Sequence, residues 1–468
     1  MTEISGRLNA GAARSIARNS NGPTLIMIFG LAATWLALPS DDADSIFNTA
    51  AIGVGIALLS ATAMEAFSGV RALIRTDNLM LWVLYGLTFL EFLFPQPDVN
   101  AAVSVEAATR GTGAVLVGFF GLVLGRHLVS KRSSSSVDVN LTPGHLFRSF
   151  LFAFVMGYLP IFIAVDFDPI EMIVQMSGPR WSQSWGRGRY GDIYSLLYEL
   201  SLLIYLLPPI GGLILARANH FSTIQKAIVV SVLTLTFYYA FASGTRNLLL
   251  TYAILMFGAY FLSRPHLKLK QVLIVGVPIA GLLLYASTLM LEFRSFGAIT
   301  WLTTGEDRHY ATLIVDHNIV NVSLLTNVFP DAVDYLGFEI PYQALIKPIP
   351  RVFWPGKPEG LSTSIEAALG MTDDATTLSC TFVGEAYMSF GFVGVLVASV
   401  LFGAAAALWN RVGQEAASPF SQLLYASGFL CAAMAMRSFL TMVPFMLPTV
   451  ALWIFGRYWL QRSSLHTR

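Results

Sequence analysis

Residues 271–290 read QVLIVGVPIAGLLLYASTLM, twenty positions without a charged side chain. About 20 such residues, rising 1.5 Å each as a helix, cover the ~30 Å hydrocarbon core of a bilayer. On either side the same texture recurs, at about 23–39, 46–68, 78–95, 110–126, 147–166, 192–216, 226–242, 247–262, 385–408, 420–436 and 438–457. Of all 468 residues, 55% are hydrophobic and 12% charged, roughly half the charge of a soluble domain. The sequence predicts an all-α polytopic membrane protein of about 12 transmembrane helices. Between the ninth and tenth lies a long polar excursion, Leu291–Gly384, read as an irregular extracytoplasmic loop.

Orientation follows from where the basic residues fall. With the N-terminus inside, Arg7, Arg14, Arg18, Arg71, Arg75, Arg126, Lys131, Arg132, Lys268 and Lys270 all lie on cytoplasmic segments. The organisation expected is a cytoplasmic tail (1–22), helices one to nine (23–290) with an outer Arg/Trp loop at 167–192, the large outer loop (291–384), helices ten to twelve (385–457) and a second cytoplasmic tail (458–468). The first apolar run has no small-residue cleavage site and more helices follow it, so it reads as a retained span. A net charge of +1 gives no sign of a nucleic-acid partner. Cys380 and Cys431 lack a CxxC or His-rich neighbourhood and read as free structural thiols. Leu207-Pro208-Pro209-Ile210-Gly211-Gly212 is one broken helix without a matching second, which weakens a secondary-transporter reading.

The chemistry should lie where the chain leaves the bilayer. In the first outer loop Arg180, Trp181, Trp185, Arg187, Arg189 and Tyr190 fall among Gly178, Gly186, Gly188 and Gly191. Guanidinium forks match phosphate oxygens, aromatic faces suit sugar rings, and glycines admit close backbone approach. The bland alternative is an interfacial belt touching lipid headgroups. The long loop carries Ile349-Pro350-Arg351-Val352-Phe353-Trp354-Pro355-Gly356-Lys357-Pro358, whose prolines forbid a helix interior, and Trp301 near its start. Arg294 opens that loop. Ten residues separate Arg180 from Gly191 and Arg294 from Gly305. Arg246 and Arg437 stand in tight outer turns at membrane depth, where a charge faces a polar cavity or snorkels. Glu65, Glu91 and Glu199 fall inside expected spans, with ion pairing the favoured use of Glu199. Glu385, where the chain re-enters the membrane, is a candidate general base or a helix N-terminal acid. His309 and His317 are the reserve bases. Asp373-Asp374 has no third ligand at sensible spacing, so no metal site is expected.

The stretch IPRVFWPGKP, then Gly384-Glu385-Ala386-Tyr387 and Phe390-Gly391-Phe392-Val393-Gly394, resembles the bacterial oligosaccharide repeat-unit (Wzy-type O-antigen) polymerases. The Ser-Gly-Thr-Arg246 turn and the paired Arg-to-Gly spacings match that family too. The resemblance implies a GT-C-like glycosyltransferase of the inner membrane with its active site facing the periplasm and no cofactor. It implies undecaprenyl-diphosphate-linked oligosaccharide as donor and acceptor, and membrane lipids, a chain-length regulator and a flippase as partners. Arg180, Arg187, Arg189, Arg246, Arg294, Arg351 and Arg437 would form the pool that holds the diphosphate. Glu385, with His309 and His317 in reserve, would take the acceptor proton, and Trp181, Trp185, Trp301 and Trp354 would be sugar platforms. Rival expectations are an O-antigen ligase resting on an outer-loop histidine, a flippase or exporter with a cationic path through the bilayer, and a non-catalytic scaffold.

Overall fold

The computed structural model describes residues 21–460 except 68, 95, 97, 130–138, 140, 186–196, 198, 265, 305–315, 352, 359, 371–377 and 415. For Trp181 and Arg294 it describes the main chain only. The principal helices are α1 (Asn21–Leu36), α2 (Ala43–Ala66), α3 (Thr76–Thr88), α4 (Val105–Gly125), α5 (Pro143–Ala164), α6 (Leu200–Ala216) and α7 (Thr223–Ala242). They continue with α8 (Arg246–Leu262), α9 (Leu269–Phe296), α10 (Asn318–Val328), α11 (Glu339–Ile346), α12 (Thr381–Gln414), α13 (Pro419–Arg437) and α14 (Phe439–Phe455). Among the described residues, eight helices are long and apolar enough to cross a membrane, and α1, α6 and α8 are shorter apolar helices. The chain is a multi-pass helical membrane protein.

Local sequence explains where the helices begin. Asp42 and Thr142 cap α2 and α5 through their side chains, Ser222 and Gln225 form a capping box on α7, and Ser418 caps α13 ahead of Pro419 at its first position. Each satisfies amide donors that a helix start leaves open. The broken helix at LPPIGG is a change of winding: a 3-10 segment, Leu200–Leu206, hands over to α-helix at Leu207. Pro208 and Pro209 lack donors and are tolerated only in such a first turn.

The helices build two cores that share one axis. The first core joins α1, α2, α3, α4, α10 and α12, and the second joins α5, α6, α7 and α8. Helix α13 serves both, giving Phe420, Leu423 and Phe429 to the second core and Ala432, Ala435 and Met436 to the first. Small residues let its neighbours close in: a Cβ on Gly258 of α8 would lie 2.5 Å from the Phe429 ring. At one end of the bundle a buried polar network ties six helices together. Arg75 grips Asp77 with two bonds of 3.0 and 2.8 Å, and Asn410 of α12 donates to the same carboxylate at 2.6 Å. Arg126 stands 3.5 Å from Glu65 and 3.6 Å from Asp77 and donates to Thr24 at 2.6 Å, while Tyr425 of α13 donates to Asn410 at 2.8 Å. Two guanidiniums face two carboxylates, so the buried charge is balanced as burial requires.

The excursion 291–384 differs from the irregular loop expected. Helix α9 runs on to Phe296, α12 starts at Thr381, and α10 and α11 lie between them. Helix α10 is packed against α4 and α12, with Ile319, Val322 and Leu325 fully buried. The approach is so close that a Cβ on Gly111 of α4 would sit 2.1 Å from the Ser323 hydroxyl. With 11 residues, α10 is too short to register as a span, which is why hydropathy passes over it. Helix α12 is interrupted at Phe390 and Gly391, the latter at φ 60°, where an added Cβ would lie 2.6 Å from the Tyr335 hydroxyl. The interruption frees the Met388 and Ser389 carbonyls to accept from Leu336 and Gly337, at 2.9 and 3.0 Å.

Candidate functional site

A cavity of about 450 Å³ lies between α3 and α8, floored by α13 and flanked by Leu284 of α9. Its walls are apolar along nearly their whole length, from Leu87 and Leu250 through Trp82, Ile254 and Phe429 to Ile74 and Phe261. Helix α3 alone is about 20 Å long at 1.5 Å per residue, so the slot runs deep into the apolar layer. Its charged lining is gathered at one end: Arg246 at the first position of α8, Arg437 at the last of α13, and Asp316 before α10. Arg246 donates to Asp316 at 2.8 Å, with its side chain 10% exposed. The charged side chains among the described lining residues are thus two guanidiniums and one carboxylate.

Two chain neighbours of lining residues complete this end. Asp316 and His317 both adopt left-handed backbone, at φ 72° and 48°, immediately before α10. Non-glycine residues rarely hold such conformations, and their clustering marks sites the surrounding fold over-determines. The turn presents Asp316 to Arg246 and sets His317 beside Glu91, which follows Leu90 of the cavity wall. His317 Nδ1 lies 3.9 Å from Glu91 Oε2; Glu91 is buried, while the imidazole side chain is 38% exposed. Nδ1 is itself buried without a hydrogen-bond partner among the described residues, so the ring turns its other edge outward. Burial pushes the His317 pKa below its ordinary value of 6.5, against the opposing pull of Asp316. The neutral imidazole is thus the resting form near pH 7, the form that accepts a proton.

The expected site residues divide sharply. Arg246, Arg437 and His317 are brought together. Glu385 does not line the cavity but lies next to it: its carboxylate accepts from the hydroxyl of Ser438, the residue after Arg437, at 2.6 Å and from the Phe439 and Leu440 amides, at the start of α14. It is 4% exposed. A carboxylate so engaged anchors the start of α14; it does not sit in the first turn of its own helix, which opens at Thr381. Trp185 is a buried member of the second core, and Trp301 packs on the same core while remaining partly exposed. Trp354 is half-buried in its turn. That turn is built around Lys357, whose ammonium donates to the Lys347 and Ile349 carbonyls at 2.9 Å each, while Arg351 donates to the Lys357 carbonyl at 3.3 Å. The motif's cations therefore hold the turn itself, and none lines the cavity.

Arg180 lies in a 3-10 turn, Arg180–Ser182, that packs on α9. Gly297, just past Arg294, has φ 81° and sits so close to Gly178 that a Cβ would come within 2.8 Å of its carbonyl carbon. The two arginine-bearing outer segments thus meet, and Arg180 is not among the described residues that line the cavity. Arg187, Arg189, His309 and the Asp373-Asp374 pair lie outside the described residues. Among the described residues no cluster of His, Cys, Asp and Glu has metal-binding geometry, and Cys380 and Cys431 are free. Sequence reasoning assigned no role to Asp316 and none to Glu91 beyond its place in a span. The available signals were an acid in an apolar run and an acid directly beside an outer histidine.

A family model described as a domain of unknown function (DUF8712) matches residues 318–426. The match opens at the first residue of α10 and takes in α11, the 349–358 turn, α12 with its interruption, and the first part of α13. No curated protein and no solved structure matches the chain.

Proposed function

We propose that the chain is a glycosyltransferase that polymerises lipid-linked oligosaccharide at the periplasmic face of a bacterial inner membrane, with about 12 spans and a GT-C-like architecture. The observation that carries this reading is the cavity, an apolar slot along membrane helices with Arg246 and Arg437 at its mouth. The ligand complementary to it is a long hydrocarbon ending in a compact anion, and a polyprenyl diphosphate has that form. In the transfer, a hydroxyl of the incoming repeat unit attacks the anomeric carbon of the growing glycan. The new C–O bond forms as the bond to the diphosphate breaks, the hydroxyl proton passes to His317, and the diphosphate leaves with its electron pair. Arg246 and Arg437 oppose the charge that builds on it, where water is scarce and fixed cations act strongly. Glu91, 3.9 Å from His317, steadies the imidazolium formed.

The position of His317 also favours a second reading, a ligase that moves the finished glycan to a lipid A core acceptor by the same chemistry. Purified protein incubated with a lipid-linked repeat unit, with products resolved by size, tests both. A ladder of chain lengths supports the polymerase. One transfer to an added lipid A core without a ladder selects the ligase, and unchanged substrate with folded protein refutes both.

A further inference from the structure

Helix α11 is apolar on two faces. Ile340 and Ala344 point inward and are buried, while Phe338, Tyr342, Leu345 and Ile349 are 78, 47, 69 and 40% exposed. Tyr342 and Leu345, three apart, share one side of α11, with Phe338 at its N-cap and Ile349 in the turn just past its end. The polar side chains that would face water are engaged elsewhere: Glu339 holds the Ser362 hydroxyl at 2.7 Å and its amide, and Gln343 donates to the Gly360 carbonyl at 2.7 Å. From 338 to 349 the only other exposed residue is Lys347. A helix apolar all round is stable where both faces are covered.

The contacts around α11 identify the cover. Leu336 and Gly337 bond to the carbonyls freed at the α12 interruption, and the Phe338 ring meets Phe390 edge-on with centroids 5.0 Å apart. From there the exposed apolar face continues along α12 through Val393, Val397 and Leu401, at 69, 53 and 62%, the lipid-facing side of a spanning helix. Phe353, 72% exposed, extends the patch beyond α11, and Lys347 and Arg351 are exposed beside it. Apolar residues flanked by cations match a bilayer surface, with acyl chains below and phosphates above. We infer that α11 and the turn through Phe353 are seated in the membrane interface on the long-loop side, with the Phe338–Ile349 stripe among acyl chains. This inference is independent of the reaction the protein performs.

Single cysteines report the seating in a Cys380→Ala, Cys431→Ala background reconstituted in nanodiscs. Leu345→Cys and Phe353→Cys, labelled with an environment-sensitive fluorophore, should show blue-shifted emission that is lost with phospholipids brominated near the headgroup and survives aqueous iodide. Asp331→Cys, at an exposed acid of the same region, should behave oppositely. Both replaced apolar residues are exposed, so folding is retained, and a monodisperse profile for each variant verifies this. Quenching of 345 and 353 by iodide, with indifference to brominated lipid, overturns the inference. Protection from both quenchers also overturns it, because a second copy or another protein would then be the cover.

Discussion

Gly86 offers the cleanest way into the cavity. It lies on α3 in the cavity wall, and a Cβ added there meets no atom within 4 Å. Gly86→Leu therefore adds four carbons at the slot wall, the first of which meets no protein atom. Excluding four methylene-sized groups of a bound tail, at about 0.8 kcal/mol each, forfeits about 3 kcal/mol, on the order of 100-fold in Kd. The fold should not suffer, since leucine is favoured over glycine in a helix by about 0.8 kcal/mol. Equilibrium binding of undecaprenyl diphosphate to wild type and variant in nanodiscs, beside their thermal midpoints, reads both quantities. Unchanged affinity in a variant at least as stable as wild type would refute the assignment of the slot to the lipid tail.

Other outcomes follow from the same geometry. Arg246→Gln and Arg437→Gln should each weaken diphosphate binding by about 1.5–3 kcal/mol, the range for bonds to charged groups; titration with geranylgeranyl diphosphate, against the matching alcohol as control, measures this. His317 must be neutral to take a proton and its pKa is lowered by burial. Turnover should therefore stay level through 6.5 and fall only as the pH drops through the lowered value. His317→Ala should remove that acid limb from the pH–rate profile and cost about 10²–10⁴ in kcat. Glu385→Ala should lower stability by about 0.5–2 kcal/mol, as lost helix caps do, while the folded fraction keeps turning over; lost turnover at unchanged stability would restore Glu385 as the base. Asp77→Ala leaves Arg75 buried without its bidentate partner and should cost about 3–5 kcal/mol, seen as a fall in thermal midpoint.

Much of the fold was legible because apolar length is a strong signal: each stretch expected to be a span carries a helix within its described residues, eight of them long and apolar enough to cross a membrane. Helix α10 was hidden because 11 residues, several of them Asn, Ser and Thr, look like loop until Gly111 of α4 is known to face Ser323. The site was legible in part. Arg246 and Arg437 stood out as charges at membrane depth, and one cavity unites them. Glu385 stood out for the same reason, yet its neighbours Ser438, Phe439 and Leu440 lie more than fifty residues away in sequence, so no local pattern announces its anchoring role. Asp316 and Glu91 gain their meaning only from contacts across the bundle. The 349–358 motif stands out through its cations, and there Lys357 binds the turn's own carbonyls while Arg351 stays exposed and donates to the Lys357 carbonyl.

The most direct measurement is where a polyprenyl diphosphate lies when bound. Purified protein would be irradiated with a polyprenyl diphosphate carrying a photoreactive group in its tail, and the labelled peptides sequenced. Adducts on α3, α8 and α13 at residues such as Trp82, Leu250 and Phe429, suppressed by excess undecaprenyl diphosphate, are the result expected. Adducts confined to the outward faces of α7 and α9, or indifferent to the competitor, would contradict the account.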